Sequence, residues 1–387
     1  LFLLGLFIYP IKAISGNTPE ELYESLQKRL ASGWNTWDTR SVLTHVFLPY
    51  GFAVDLNMMD TDGSRVRKFR IGDRAKGAPL LQPGPHSFDG AYTKMTIDWR
   101  GYKLQVESAA IGLKNVILIR PLAETKKGGR LVVIPESLWK RGNTLSVDSL
   151  GFTLASRDKV VEIKTYIEGE LLEKKGREFI LSLDTPVAIC CGENMELDEA
   201  IAFINDRARD FINSNQKKFG ENYDCYNAMQ SVLAWDNIYD PGIRRVITPV
   251  SRIWSSEWFA SEDFGGFTLF CWDTYFASMM LAVGNKELAY ANAVEITKAI
   301  TESGFVPNCF YSNNFKSRDR SQPPVGSLAV WTIYKQYQEK WFLELLYKEL
   351  LTWNRWWSRN REDGGLLCLG SNPYEKVTYF RSEFDTD

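Results

Sequence analysis

Two hydrophobic periods in succession predict a multidomain β plus all-α chain, an N-terminal antiparallel β-sandwich followed by a helical domain. From about residue 33 to 185, apolar residues alternate with polar ones, the period of half-buried strands. Near Glu196 the period lengthens: Leu197, Ile201, Ile204, Ala208 and Phe211 recur at spacings of four and three. Beyond them no run reads as a strand. The expected bounds are a signal remnant over 1–13, the sandwich over 14–185, a linker helix over 186–222 and the helical domain over 223–387.

The chain opens Leu1-Phe-Leu-Leu-Gly-Leu-Phe-Ile-Tyr-Pro-Ile-Lys-Ala13, apolar but too short to cross a bilayer. A small residue then precedes a polar stretch, which reads as the end of a secretory signal, with a buried first strand as the other reading. Thr18-Pro-Glu-Glu begins a short helix. Met95, Ile97 and Trp99, the turn Arg100-Gly101, then Tyr102, Leu104 and Val106 read as a hairpin. Val116–Arg120, Arg130–Ile134, Val160–Ile167 and Glu178–Leu183 are further strands, with no helix long enough for a parallel crossover between them. The α half offers helices at Tyr223–Trp235, Trp272–Val283, Lys286–Ser303, Val325–Tyr337 and Trp341–Asn360.

Composition narrows the function classes. The 387 residues carry 46 basic and 48 acidic side chains, so no basic surplus exists for gripping nucleic acid. Thirteen Trp, 17 Tyr and 22 Phe supply either a large aromatic core or faces that stack on sugar rings. Six cysteines without CxxC spacing and only two histidines, His45 and His86, argue against a disulfide framework or a zinc site. No run beyond the leader is long and apolar enough to span a membrane.

Three segments concentrate Trp, Arg, Asn, Gln and carboxylates in loops. They are Ile247–Trp254, Phe264–Phe276, and Gly304–Asn308 with Arg318–Pro324. Each is expected to precede a helix, so that their polar groups line one mouth of the helical domain. Asp273 beside Trp272 suits two roles, holding sugar hydroxyls or capping a helix from Thr274. Asp236, Asn237 and Asp240 suit a calcium loop or ordinary turn chemistry.

Gly-Gly-Phe-Thr-Leu-Phe-Cys-Trp-Asp-Thr-Tyr-Phe, Gly-Phe-Val-Pro-Asn and Arg-Ser-Gln-Pro-Pro resemble segments of the family 37 trehalases. They resemble still more family 63, the processing α-glucosidase I and its bacterial relatives, as does Gly33-Trp-Asn-Thr-Trp-Asp-Thr-Arg-Ser41. The β-rich first half favours family 63, whose members place a β-sandwich ahead of an (α/α)6 toroid. That resemblance implies a toroid truncated in this chain, since about twice the helices would be needed. It also implies that Trp272, Asp273, Asn308, Arg320 and Gln322 hold the terminal sugar. Phe267 is counted with this substrate-binding set but departs in kind, because trehalases carry Arg there.

Both families invert configuration with one acid and one base on opposite faces of the bond. The families' acid lies in a Glu-Ser-Gly-x-Asp loop, which this sequence does not contain. Both catalytic carboxylates are therefore expected beyond Asp387, with Glu383 and Asp385 the last candidates inside the chain. The function implied is a secreted or periplasmic, inverting, exo-acting α-glycosidase of α-glucosidase type, acting on an oligosaccharide or glucoside without a cofactor. A non-catalytic carbohydrate-binding protein and a trehalase-like enzyme are the alternatives.

Overall fold

The computed structural model describes residues 17–252, 266–312, 314–318 and 320–369. The expected leader at 1–13 and the candidates Glu383 and Asp385 lie outside these residues.

Fifteen strands build two antiparallel sheets. In chain order they are β1 (Gly33–Asn35), β2 (Thr44–Leu48), β3 (Phe52–Met59), β4 (Arg65–Val66), β5 (Leu80–His86), β6 (Tyr92–Trp99), β7 (Tyr102–Ile111) and β8 (Lys114–Pro121). Then follow β9 (Arg130–Ser137), β10 (Thr144–Val147), β11 (Gly151–Ala155), β12 (Glu162–Glu168), β13 (Leu171–Lys175), β14 (Glu178–Ser182) and β15 (Val187–Cys191). One sheet runs β1-β2-β3-β9-β14-β13, with β4 on β3; the other runs β10-β11-β12-β15-β8-β7-β6-β5. The predicted hairpin is β6–β7, with Trp99 opposite Tyr102 and Ile97 opposite Leu104. Arg100 and Gly101 take φ of 54° and 86°, the left-handed pair that a two-residue hairpin needs. Trp34, Phe52, Leu56, Ile97, Leu104 and Phe152 meet in the core between the sheets.

The sandwich extends past the expected limit at 185. All of β15 is buried, so it shows a continuous apolar run instead of an alternation. Val187, Ile189 and Cys191 enter the core, while Ala188 and Cys190 lie under helix α2 (Leu197–Phe219). Strand β8 divides likewise, with Ile117 and Ile119 inward and Val116 and Leu118 outward. Helix α2 therefore forms a third layer, lowering Ala200 and Ile204 onto the sheet, in addition to linking two domains.

Helix α1 (Pro19–Leu30) is closed by a capping box between Thr18 and Glu21. It precedes β1, yet Tyr23 and Leu26 join the core of the helical half. The Tyr23 hydroxyl donates to Glu295 at 2.6 Å. Gln27 accepts from the Val246 amide at 2.8 Å and donates to its carbonyl at 3.3 Å. Arg245 ties Glu24 to Glu295. A cavity of about 370 Å³ opens beside this strap, walled by Tyr23, Glu24, Arg245, Glu295, Lys298 and Lys316.

The helical half contains α3 (Tyr223–Asp236), α4 (Cys271–Gly284), α5 (Lys286–Lys298), α6 (Gly326–Tyr337) and α7 (Lys340–Asn360). From α4 onward, successive helices touch, and so do alternate ones: α4 packs on α6, and α5 on α7. Two helical layers result, the pattern of the expected toroid. The α5/α7 layer is covered by α1. Phe276, Met280 and Val283 of α4, with Leu328 and Trp331 of α6, are exposed. No helix among the described residues is long and apolar enough to cross a membrane.

Two expectations fail here. Helix α5 stops at Lys298 instead of Ser303, and a turn at Thr301–Gly304 follows it. Small ribbons also interrupt the helices: β16 (Ile238–Asp240) with β17 (Arg245–Ile247), β18 (Thr268–Phe270) with β19 (Cys309–Tyr311), and β20 (Glu362–Asp363) with β21 (Leu366–Leu367). Strands of two or three residues are too short to leave a periodic signal.

Tyr23→Phe should loosen the strap. It removes a hydrogen bond to a buried carboxylate, worth about 1.5–3 kcal/mol. Amide exchange across residues 19–30 should quicken while the sandwich strands stay protected. Unchanged protection in α1 would mean that apolar packing alone holds it.

Candidate functional site

The site grows from the β18–β19 ribbon. Phe270 pairs with Cys309, and one step on, the Cys271 amide donates to the Asn308 carbonyl at 3.0 Å as α4 begins. Asn308 in turn donates its amide to the Arg320 carbonyl at 3.3 Å, and Pro307 bridges to Ser321. The Trp272 amide donates to Gln322 Oε1 at 3.1 Å. Three segments distant in sequence thus place Trp272, Asp273, Asn308, Arg320 and Gln322 around the amino end of one helix. Trp272 and Asp273 are half-buried; Asn308, Arg320 and Gln322 are buried. The Trp272 ring continues into Phe276, one turn along α4, at 6.1 Å between centroids. The Cys309 thiol donates to Asn308 Oδ1, leaving Nδ2 as that amide's donor.

One role changes. Helix α4 starts at Cys271, so Asp273 is its third residue and does not cap a helix from Thr274. A carboxylate in the first turn still benefits from the helix dipole. Phe267 is 1% exposed and packs edge-on against Phe310 at 6.1 Å in the core. An apolar ring there fills space where a polar side chain would need a partner. The third segment, Gly304–Asn308 with Arg318–Pro324, leads into α6 as expected, with β19 between its two parts.

Ile247–Trp254 also differs from expectation as far as it is described, to Arg252. Arg252 turns inward and is 3% exposed. Its guanidinium donates to the carbonyls of Trp235 (2.5 Å), Asp38 (2.9 Å), Thr36 (2.7 Å) and Asn237 (2.7 Å). The first and last of these belong to the end of α3, the other two to the Gly33–Ser41 segment. Burial pulls Arg252 down to about 10, against the opposing fields of Asp236 and Asp38. Burial also pushes Asp236 up to about 6, with Arg252 opposing. His86 supports the same joint: Nδ1 donates to the Ser87 carbonyl at 2.5 Å, so Nε2 accepts from the Thr36 hydroxyl at 3.0 Å. Its ring stands edge-on to Trp235, 4.5 Å between centroids. Nothing in the residue pattern marked Arg252 as structural; an Arg in a Ser-Arg loop reads equally as a ligand.

The proposed calcium residues are otherwise engaged. Asp240 Oδ1 accepts from the Gly242 and Ile243 amides, the turn chemistry named as the other reading. Asn237 Oδ1 accepts the Thr248 hydroxyl at 2.5 Å. Among the described residues no group of three or more His, Cys, Asp or Glu side chains is placed to hold a metal ion.

Residues 267–374 match the family model of the mannosylglycerate hydrolase MGH1-like glycoside hydrolase domain. This segment includes Trp272, Asp273, Asn308, Arg320 and Gln322. This part of the helical half is thus similar to a glycoside hydrolase domain, in keeping with the family 63-like resemblance of the sequence. Among solved structures, a bacterial glucoamylase complexed with acarbose is similar at 12% identity and a TM-score of 0.38. That match covers 82% of this chain and 57% of the glucoamylase chain, so this chain spans a little over half of its length. No curated protein matches the chain.

The joint should impose a pH signature. Burial lowers His45 and His86 to about 3, against an ordinary value of 6.5. Between those limits the unfolded chain binds protons that the folded one refuses. Each histidine therefore adds stability as pH rises from about 3 to 6.5, at about 1.4 kcal/mol per pH unit. Asp55 and Asp236, both raised to about 6, act with the opposite sign between 3.8 and 6. Subtracting the stability curve of His86→Gln from that of the unaltered protein isolates one histidine. That difference should slope upward by about one proton between pH 3 and 6.5 and level off above. A flat difference would mean that His86 titrates alike in both states.

Proposed function

We propose that this protein is an inverting, exo-acting α-glycosidase of the α-glucosidase type, releasing a terminal α-linked sugar from an oligosaccharide or glucoside. The observation that carries this is the convergence of Trp272, Asp273, Asn308, Arg320 and Gln322 on the amino end of α4. An indole covers the apolar face of a sugar ring. A carboxylate in the first turn accepts hydrogen bonds from two adjacent hydroxyls, held in place by the helix dipole. Asn308 Nδ2 and the Arg320 guanidinium supply donors for ring and hydroxyl oxygens. The burial of Phe267 weighs against the trehalase-like alternative, since no charged contact is offered at that position.

Inversion requires an acid and a base on opposite faces of the scissile bond, roughly 6.5–9.5 Å apart. Asp273, engaged with ring hydroxyls, supplies neither role. The 387-residue chain alone should then bind sugar without turning it over, whereas a protein that also contains the Glu-Ser-Gly-x-Asp loop should hydrolyse it. Turnover of an aryl α-glucoside by the 387-residue chain would refute this division and direct attention to Asp273, Glu383 and Asp385. Secretion or periplasmic residence is part of the proposal and rests on residues 1–13; amino-terminal sequencing of exported protein should read from near Ile14.

Asp273→Asn tests the sugar hold directly. Losing charge-assisted hydrogen bonds costs about 1.5–3 kcal/mol, so affinity for maltose should fall roughly ten- to a hundredfold with the thermal midpoint little changed. An unaltered affinity would remove Asp273 from the site and favour a purely structural helix start.

A further inference from the structure

We infer that Gln322 is a positioning residue: it sets Trp272 and Asp273 by capping α4 from outside the helix, instead of gripping the sugar itself. This rests on the sugar-binding reading above and changes one of its assignments.

An α-helix leaves its first amide groups without partners in its own backbone. A side-chain acceptor on the residue preceding the helix usually meets one of them. Here that residue is Phe270, whose side chain accepts no such bond. Gln322 takes over the task across a gap of 50 residues, its Oε1 accepting the Trp272 amide at 3.1 Å. A backbone N–H can only donate, so the amide orientation of Gln322 is fixed: Oε1 faces the helix, and only Nε2 remains for another partner. Gln322 is 3% exposed and stands just before Pro323-Pro324, which restrict the backbone around it. The Pro307–Ser321 bridge and the bond from Asn308 to the Arg320 carbonyl anchor the same short segment to the β19 side. One buried side chain therefore transmits the position of the 320–322 segment to the first turn of α4. Trp272 and Asp273 are the second and third residues of that turn.

The two roles separate by chemistry. A positioning role needs the acceptor oxygen; a sugar-gripping role needs the Nε2 donor. Gln322→Glu keeps an oxygen at the helix amino end, where negative charge is favoured, and abolishes the donor. Gln322→Met keeps the length and removes both. Maltose binding is followed by tryptophan fluorescence, and amide exchange is read for the peptide containing residues 271–276.

With a positioning role, Gln322→Met should weaken maltose binding about tenfold and speed exchange at Trp272, while Gln322→Glu stays within about threefold of the parent and restores protection. Equal loss of affinity in both variants, with exchange unchanged, would overturn the inference and make Gln322 a sugar ligand. Full affinity in Gln322→Met would overturn it as well. If the unaltered protein does not bind maltose, the functional reading fails for that sugar, and exchange at Trp272 in the two variants still decides whether the cap exists.

Discussion

The guanidinium of Arg252 is the fixed point of this molecule. A buried arginine must hydrogen-bond nearly all its N–H groups or forfeit a large desolvation energy. Arg252 meets that demand with four backbone carbonyls, two from the loop after β1 and two from the end of α3. Backbone acceptors cannot rotate away, so the side chain dictates where the sandwich meets the helices. Asp38, Asp236, His86 and Trp235 gather around it, and exclusion of water lowers the proton affinity of Arg252 and His86 and raises that of Asp236.

The layers of the fold then have a common logic. Strands β8 and β15 are apolar on both faces because the sandwich core lies on one side and α2 on the other. Helix α5 is buried along almost its whole length because α4, α7 and α1 surround it. The sugar-binding proposal depends on this rigidity. The candidate side chains come from three segments, and only a ribbon, a helix start and a Pro-Pro stop hold them in register.

Where the sequence was legible, one periodicity dominated. The β6–β7 hairpin was readable because one face is buried and its turn takes two left-handed residues. The start of α7 was readable to within one residue from its amphipathic pattern. Strand β15 escaped its boundary because two buried faces erase alternation. In the site, Trp272, Asp273, Asn308, Arg320 and Gln322 were found through motif resemblance, and their meeting could not be derived from spacing. Gln322 shows the general difficulty: a side chain matching a binding motif can fulfil it by holding the backbone of its neighbour. Arg252 and the Tyr23–Glu295 contact were invisible, because a single polar pair between distant segments carries no period.

The strap made by α1 has a consequence for how the chain reaches its native state. Tyr23 and Glu295 are 272 residues apart, and the whole sandwich is strung between them. Helix α1 is synthesised before α5 and α7, and its apolar face has no seat until they exist. During synthesis, Tyr23 and Leu26 must wait while the sandwich folds. Closing so long a loop costs entropy that only late contacts repay, so docking of α1 belongs to the last stage of folding. Until then the exposed face of α1 is a place where a chaperone or another nascent chain can bind.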